Sequence, residues 1–405
     1  VDDISYSTTN WTDIDPASNF VEDETECNTL YTEIPDENFE QALIDYGYDT
    51  APIDGLVPTA NIDYVTNLEI QGRNIADLTG IEDFIALSTL TCGANLLTSL
   101  DVSNSPALTK LSCASNLLTS LDVTNNTALT ELFCSANLIT SLDVSQNTAL
   151  TELRCYDNLI TSLDVSNSTD LIYFECQNNL LTDLDVSTNT ALTFLYCSNN
   201  QLTDLDLRNT ALLEFACNVN LLTSLDVTAN TELYFLNCSL NQLTGSLDLS
   251  NNSFLNELNC QVNKIETLNI KNGTNTILLG ESFNALNNPD LYCIVVDDID
   301  YSTTNWTNRD PASAFVNNET DCEALSLVDN NFELEVTIYP NPTDNYLFIE
   351  GNVNPVSIII YNLLGAKVIA KSNTDKIDVS ELSKGVYIIN ISDGVSQTNK
   401  KFVKN

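Results

Sequence analysis

Twelve cysteines, 57 carboxylates and no histidine set the chemistry open to this chain of 405 residues. Nine cysteines recur in register: Cys92, Cys113, Cys134, Cys155, Cys176, Cys197, Cys217, Cys238 and Cys260. The interval is 21 residues, except 20 before Cys217 and 22 before Cys260. Evenly spaced thiols suit soft-metal binding or redox exchange, but no CxxC pair and no histidine accompany them. Free cysteine is otherwise a small hydrophobe and among the most buried residue types. Each alternates with an apolar residue, as in Leu111-x-Cys113, so a core of reduced thiols is expected. Stacked side chains pointing the same way give a poor disulfide dihedral, which argues against bridges between them.

A column of aspartates keeps the same step: Asp101, Asp122, Asp143, Asp164, Asp185, Asp206, Asp226 and Asp248. Like charges about 5 Å apart repel unless solvated, hydrogen-bonded or bridged by a cation. Acceptance of loop N–H groups is the favoured reading; calcium at Asp122, Asp143 and Asp164 is the alternative. Lacking histidine, the chain has no imidazole base, Ser–His triad or His-ligated metal. No GxSxG, HExxH or P-loop pattern occurs, and no carboxylate pair stands out as a glycosidase site. Neither catalysis nor a cofactor is expected.

Fourteen Lys+Arg against 57 Asp+Glu give a formal charge of −43. That charge argues against nucleic acid, whose phosphates require concentrated Lys and Arg, and against an anionic membrane surface. No apolar run approaches the ~20 residues of a membrane-spanning helix. Binding by an acidic, secreted protein is what remains.

The elements that must position these residues follow from a repeat. LTKLSCASNLLTSLDVTNNTA from Leu108 is succeeded by LTELFCSANLITSLDVSQNTA from Leu129, and the frame runs from Leu87 to about Asn275. Within a block, alternation at Leu111 and Cys113 predicts a short strand, and polar punctuation stops it from lengthening. One such turn cannot bury its apolar side alone, so turns must stack with strands ~4.8 Å apart. Asn116 and its equivalents, among them Asn95, Asn137, Asn158 and Asn179, sit where each strand ends. A buried amide there can hydrogen-bond the backbone of neighbouring turns.

The pattern LxxLxCxxNxL resembles the leucine-rich repeat family with Cys in place of the third Leu, and its 21-residue period is similar to internalin J-type surface proteins. The resemblance covers roughly residues 35–292. It implies a mainly β, parallel solenoid whose exposed strand positions form a concave binding surface. On that surface would stand Phe133, Arg154, Tyr156, Tyr173, Glu175, Phe194, Tyr196 and Phe235. Stacked aromatics with few lysines fit an interface centre or stacking on sugar rings; cross-strand packing that stiffens the sheet is the competing reading. Leu96, Leu117, Leu138, Leu159, Leu180 and Leu221 occupy the x of NxL, a position normally polar in the family. They form either an apolar interface stripe or a strip tucked under the following loop.

Ile34–Gly47 is amphipathic at helical spacing, with Phe39, Ala42, Leu43 and Tyr46 on one face, Asp36 as cap and Gly47 as stop. A helix there would close the first turn. Val1–Cys27 matches Val296–Cys322 at an offset of 295. The second copy is preceded by Cys293, which can close a disulfide loop to Cys322 in an oxidising compartment. The first copy is expected to end a preceding repeat domain of a longer polypeptide. Asp49-Thr50-Ala51 fits a short O-glycosylation pattern at Thr50.

Composition changes near Val336: the last 70 residues hold seven Lys+Arg and six acids. YPNPTDNYLFIEG, IYNLLGAKV, LSKGVYIINI and the terminal KKFVKN follow in order and predict a small β-sandwich. These motifs resemble the type A C-terminal sorting domain of type IX secretion in Bacteroidota. Tyr339, Pro340, Asn341, Pro342, Gly365, Gly385, Tyr387 and Lys401 carry the match. The resemblance implies export to the extracellular or outer cell surface through translocon, shuttle and sortase components. The expected organisation is a remnant cap (1–27), an N-terminal cap (28–64), the solenoid (65–292), a disulfide-closed cap (293–322), a linker (323–335) and the sorting domain (336–405). The leading expectation is a surface-displayed adhesion or binding protein with a protein or glycan ligand. The alternative is a stalk or surface layer that self-associates through the solenoid.

Overall fold

The computed structural model describes residues 30–208, 211–328, 336–351, 357–362, 366–392 and 397–405. Cys27, the duplicated segment 1–27 and Gly365 lie outside them. The chain forms two compact units that divide after Asn318.

In the first unit each repeat contributes one short strand to a long sheet, and eleven described strands, three residues each except the two-residue last, stack in parallel from Asn67–Glu69 to Phe283–Asn284. Neighbours pair without slippage, as in Tyr173↔Phe194 and Glu175↔Tyr196. Alternation decides which side chains go inside. The middle residues, such as Leu132, Leu153 and Phe174, are fully buried. The outer two of each strand face away from the core and are mostly half-buried. All nine rung cysteines are free and fully buried. Each follows its strand directly and continues the parallel ladder: the Cys134 N–H donates to Arg154 O at 2.9 Å. Burial pushes the thiols up, to about 12 at Cys113 and Cys155. They are packing groups, too protonated to act as thiolates.

The bend after each strand depends on two residues. The first adopts a left-handed φ of 52–58° at Ala94, Ser115, Ala136, Asp157, Asn178, Asn199, Val219, Leu240 and Val262. The second is the repeated asparagine. Asn158 Oδ1 accepts the Ile139 N–H at 3.0 Å, while its Nδ2 donates to Cys134 O at 3.0 Å and Cys155 O at 3.1 Å. Every rung from Asn95 to Asn263 is built this way, tying each cysteine carbonyl to its own turn and the next. A second asparagine column, which the strand periodicity does not mark, supports the opposite bend. Asn126 and Asn147 are fully buried, and Asn147 Nδ2 donates to Val123 O at 3.0 Å and Asn126 O at 2.9 Å.

The ends are covered as an apolar stack requires. Helix α1 (Glu37–Tyr46) is capped by Asp36, whose Oδ1 accepts from Asn38 N and Phe39 N, and closes at Gly47 with φ 79°. Phe39, Ala42 and Leu43 are buried, but Tyr46 is exposed, contrary to its expected place on the packed face. Glu40 takes the interior instead, its carboxylate accepting the N–H groups of Asp54 at 2.6 Å and Gly55 at 2.7 Å. At the other end a four-stranded parallel sheet runs from Thr244–Asp248 to Ala314–Val316, and α2 (Ile299–Asn305) leads into buried Trp306. Trp306 stacks on Phe283 at 4.6 Å and its Nε1 donates to Leu278 O. Cys293 and Cys322 are disulfide-bonded. Helix α3 (Glu319–Val328) extends into the stretch read as a linker from 323, because EALSLV combines good helix formers with acids in the first turn.

In the second unit two antiparallel sheets share one core. Val336, Leu347 and Ile377 come from one sheet, and Ile358, Ile389 and Phe402 from the other, so they pack face to face as a small sandwich.

Candidate functional site

The outer positions of the long sheet form two rows. One reads Lys110, Glu131, Glu152, Tyr173, Phe194, Glu214, Phe235, Glu257; the other reads Ser112, Phe133, Arg154, Glu175, Tyr196, Ala216, Asn237, Asn259. Seven of the eight residues anticipated as a ligand surface stand in these rows. Tyr156 lies just beyond its strand, half-buried, after Cys155.

Rings and cations interleave along the first half. Lys110 Nζ lies 5.0 Å from the Phe133 ring centre, and Arg154 Cζ lies 5.1 Å from the same centre. Arg154 also lies 4.7 Å from Tyr173. Tyr173 continues to Phe194 at 5.3 Å and Tyr196 at 5.8 Å. Glu131 pairs with Lys110 at 2.6 Å, and Glu152 pairs with Arg154. The Tyr173 hydroxyl donates to Glu175 at 3.0 Å, and those of Tyr196 and Tyr234 both donate to Glu214. Burial, then the Glu175 carboxylate, pushes Tyr173 up to about 12; the bond to Glu214 takes Tyr234 to about 12. The rings are therefore neutral, with their carboxylate partners oriented along the sheet. Lys110 and Tyr234 were not among the anticipated residues. Lys110 was legible as one of the few cations inside the repeats, whereas Tyr234 precedes its strand and no pattern marks it.

The leucine stripe is not tucked under a loop: Leu96, Leu117, Leu138, Leu159, Leu180 and Leu221 are 41–49% exposed. In the aspartate column each carboxylate folds back on its own loop, as Asp122 Oδ1 does in accepting Thr124 N at 2.9 Å and Oγ1 at 2.7 Å. Hydrogen bonds from the residue two positions on hold Asp122, Asp143 and Asp164 below the usual carboxylate range. Among the described residues no group of three or more Cys, Asp or Glu side chains converges as a metal site. Thr50 is exposed after α1.

In the second unit the motif residues fasten the terminal strand. Asn341 Nδ2 donates to Lys401 O at 3.0 Å, and its Oδ1 accepts Val403 N at 2.9 Å. Tyr387, in the strand that begins at Gly385, stacks on Phe402 at 5.6 Å; Tyr339 stacks on Phe348 at 5.7 Å. Pro340 and Pro342 flank Asn341 in the connecting loop, and Lys401 is exposed. No helix among the described residues is long and apolar enough to cross a membrane.

Residues 337–405 match the secretion system C-terminal sorting domain family. Among solved structures, the functional domain of InlJ from Listeria monocytogenes, described as including a cysteine ladder, is similar over 93% of this chain and 99% of that one. Identity is 26% and the TM-score 0.55. The internalin InlF of the same species aligns at 23% identity and a TM-score of 0.41, over 70% of this chain and 96% of that one. No curated protein matches the chain. The first unit is thus a parallel solenoid of the leucine-rich-repeat type. The second carries a type IX secretion sorting domain, which marks the chain for the cell surface or extracellular space.

Proposed function

We propose that this is a surface-displayed recognition protein: the tail engages the type IX translocon, shuttle and sortase components, and the solenoid binds a macromolecular ligand through its aromatic sheet face. The observation that carries this reading is the row of rings and carboxylates from Lys110 to Phe235, interleaved with cations in its first half, on a sheet whose opposite side is a dry core. Rigid aromatic anchors beside charges describe the centre of a binding surface. Phe133, Arg154, Tyr173, Glu175, Phe194, Tyr196 and Phe235 would make the contacts, with Tyr156 at the margin. Adhesion is the role such display serves, with no catalytic step.

Replacing Phe194, Tyr196 and Phe235 by Ser should abolish ligand capture by the displayed protein while the melting temperature stays within a few degrees. Undiminished capture would reject this face. A second reading, a self-associating stalk or layer, draws support from the exposed leucine stripe. Light scattering separates the two: Leu138→Gln with Leu159→Gln should disperse assemblies only if the stripe holds them together.

A further inference from the structure

The two halves of the sheet face differ in one respect. Upstream, the chain supplies its own cations: Lys110 and Arg154 flank Phe133, Arg154 also covers Tyr173, and Glu131, Glu152 and Glu175 neutralise them. Downstream, Phe194, Tyr196, Glu214, Phe235 and Glu257 continue the same rows without a cation. Among the described residues no Lys or Arg stands over these rings or bridges to Glu214 or Glu257. In the second row the position after Tyr196 is Ala216, whose side chain ends at Cβ. Glu214 lies between Phe194 and Phe235 in register and is held by the hydroxyls of Tyr196 and Tyr234. Rings beside an oriented carboxylate attract an ammonium or guanidinium ion, and the surrounding acidity steers cations toward the face.

Resting on the binding role proposed for this face, we infer that the patch Phe194–Tyr196–Glu214–Phe235–Glu257 seats lysine or arginine side chains of a basic protein segment. The ligand thereby completes the alternation that Lys110 and Arg154 complete upstream. Charge complementarity selects this occupant over a neutral glycan: six glutamates (Glu69, Glu131, Glu152, Glu175, Glu214 and Glu257) and two cations occupy the outer strand positions.

The test is fluorescence anisotropy of a labelled nona-arginine peptide on the full chain at 150 mM NaCl. Glu214→Gln and the pair Tyr196→Leu/Phe235→Leu should each weaken binding about tenfold, in line with a cation–ring contact of ordinary strength. Asp122→Asn/Asp143→Asn/Asp164→Asn, which removes three charges from the aspartate column, should change it less than about twofold. Equal or greater loss in the aspartate variant would mean diffuse attraction and overturn the assignment, as would unchanged binding in the patch variants. A chitohexaose titration runs in parallel. If the ring variants lose chitohexaose binding and keep the peptide, the face is a binding surface and only its cationic ligand is wrong. Circular dichroism melts confirm that each variant is folded; if the ring pair fails to fold, Glu214→Gln and Tyr196→Phe decide the outcome.

Discussion

The asparagine at the bend after each strand should be worth more than its counterpart in the second column, and the difference follows from what each leaves behind. In Asn158→Ala, the Ile139 N–H loses its acceptor and becomes a buried donor with no replacement. Cys134 O and Cys155 O each lose one donor and keep another, from Asn137 and Asn179. An unpaired buried N–H costs about 1–3 kcal/mol and each of the two lost bonds about 0.5–1.5, giving about 2–6 kcal/mol in all. Asn147→Ala removes two donations, and both acceptors keep a backbone partner: Val123 O retains Asn126 N, and Asn126 O retains Leu129 N. No donor is stranded, so the cost is about 1–3 kcal/mol. Repeat arrays need not unfold in one step, so urea melts should be paired with native-state hydrogen exchange. The Ile139 amide should exchange about a hundredfold faster in Asn158→Ala and little faster in Asn147→Ala. Equal costs, or the reverse order, would refute the assignment of the first column as backbone donor satisfaction.

Three further outcomes are expected. The rung thiols have raised pKa values in the fold, so stability is whole below the unfolded thiol range and falls as pH rises from about 9 toward 12. Each rung thiol exposed on unfolding adds a slope of about 1.4 kcal/mol per pH unit, so alkaline melts should show the array losing stability within that window. Replacing Val219 by Asn should add about 0.5–1 kcal/mol, since a β-branched residue there holds φ at 57° where Asn178 and Asn199 do so at less cost; an unchanged urea midpoint would contradict this. Asn341→Ala removes both side-chain bonds to the terminal strand, costing about 1–3 kcal/mol, and should lower export as measured by surface immunolabelling.

Much of the solenoid was legible because its determinants are local and repeated. A period-two alternation forces Leu132 and Cys134 inward, and an asparagine that meets the same bend in every turn stands out against variable neighbours. The second column hid in plain repetition, since Asn126, Asn147 and Asn189 sit in polar loops that resemble solvent-facing punctuation. Glu40 was missed for the opposite reason: helical periodicity assigns a glutamate to water, and only the partner N–H groups of Asp54 and Gly55, 14 and 15 residues away, make its burial favourable. On the sheet face, residue identity was readable in sequence while pairing was not. That Glu214 joins Tyr196 to Tyr234 depends on side-chain reach between turns, which spacing does not encode.

The inward placement of the cysteines makes the neighbouring strand positions a free surface, and alkylation of the native protein tests it most directly. Iodoacetamide at pH 8 without denaturant should label none of the nine rung thiols, and all nine should react after unfolding, as peptide mass spectrometry would read. Labelling of a central rung such as Cys155 or Cys176 in the folded protein would contradict the account.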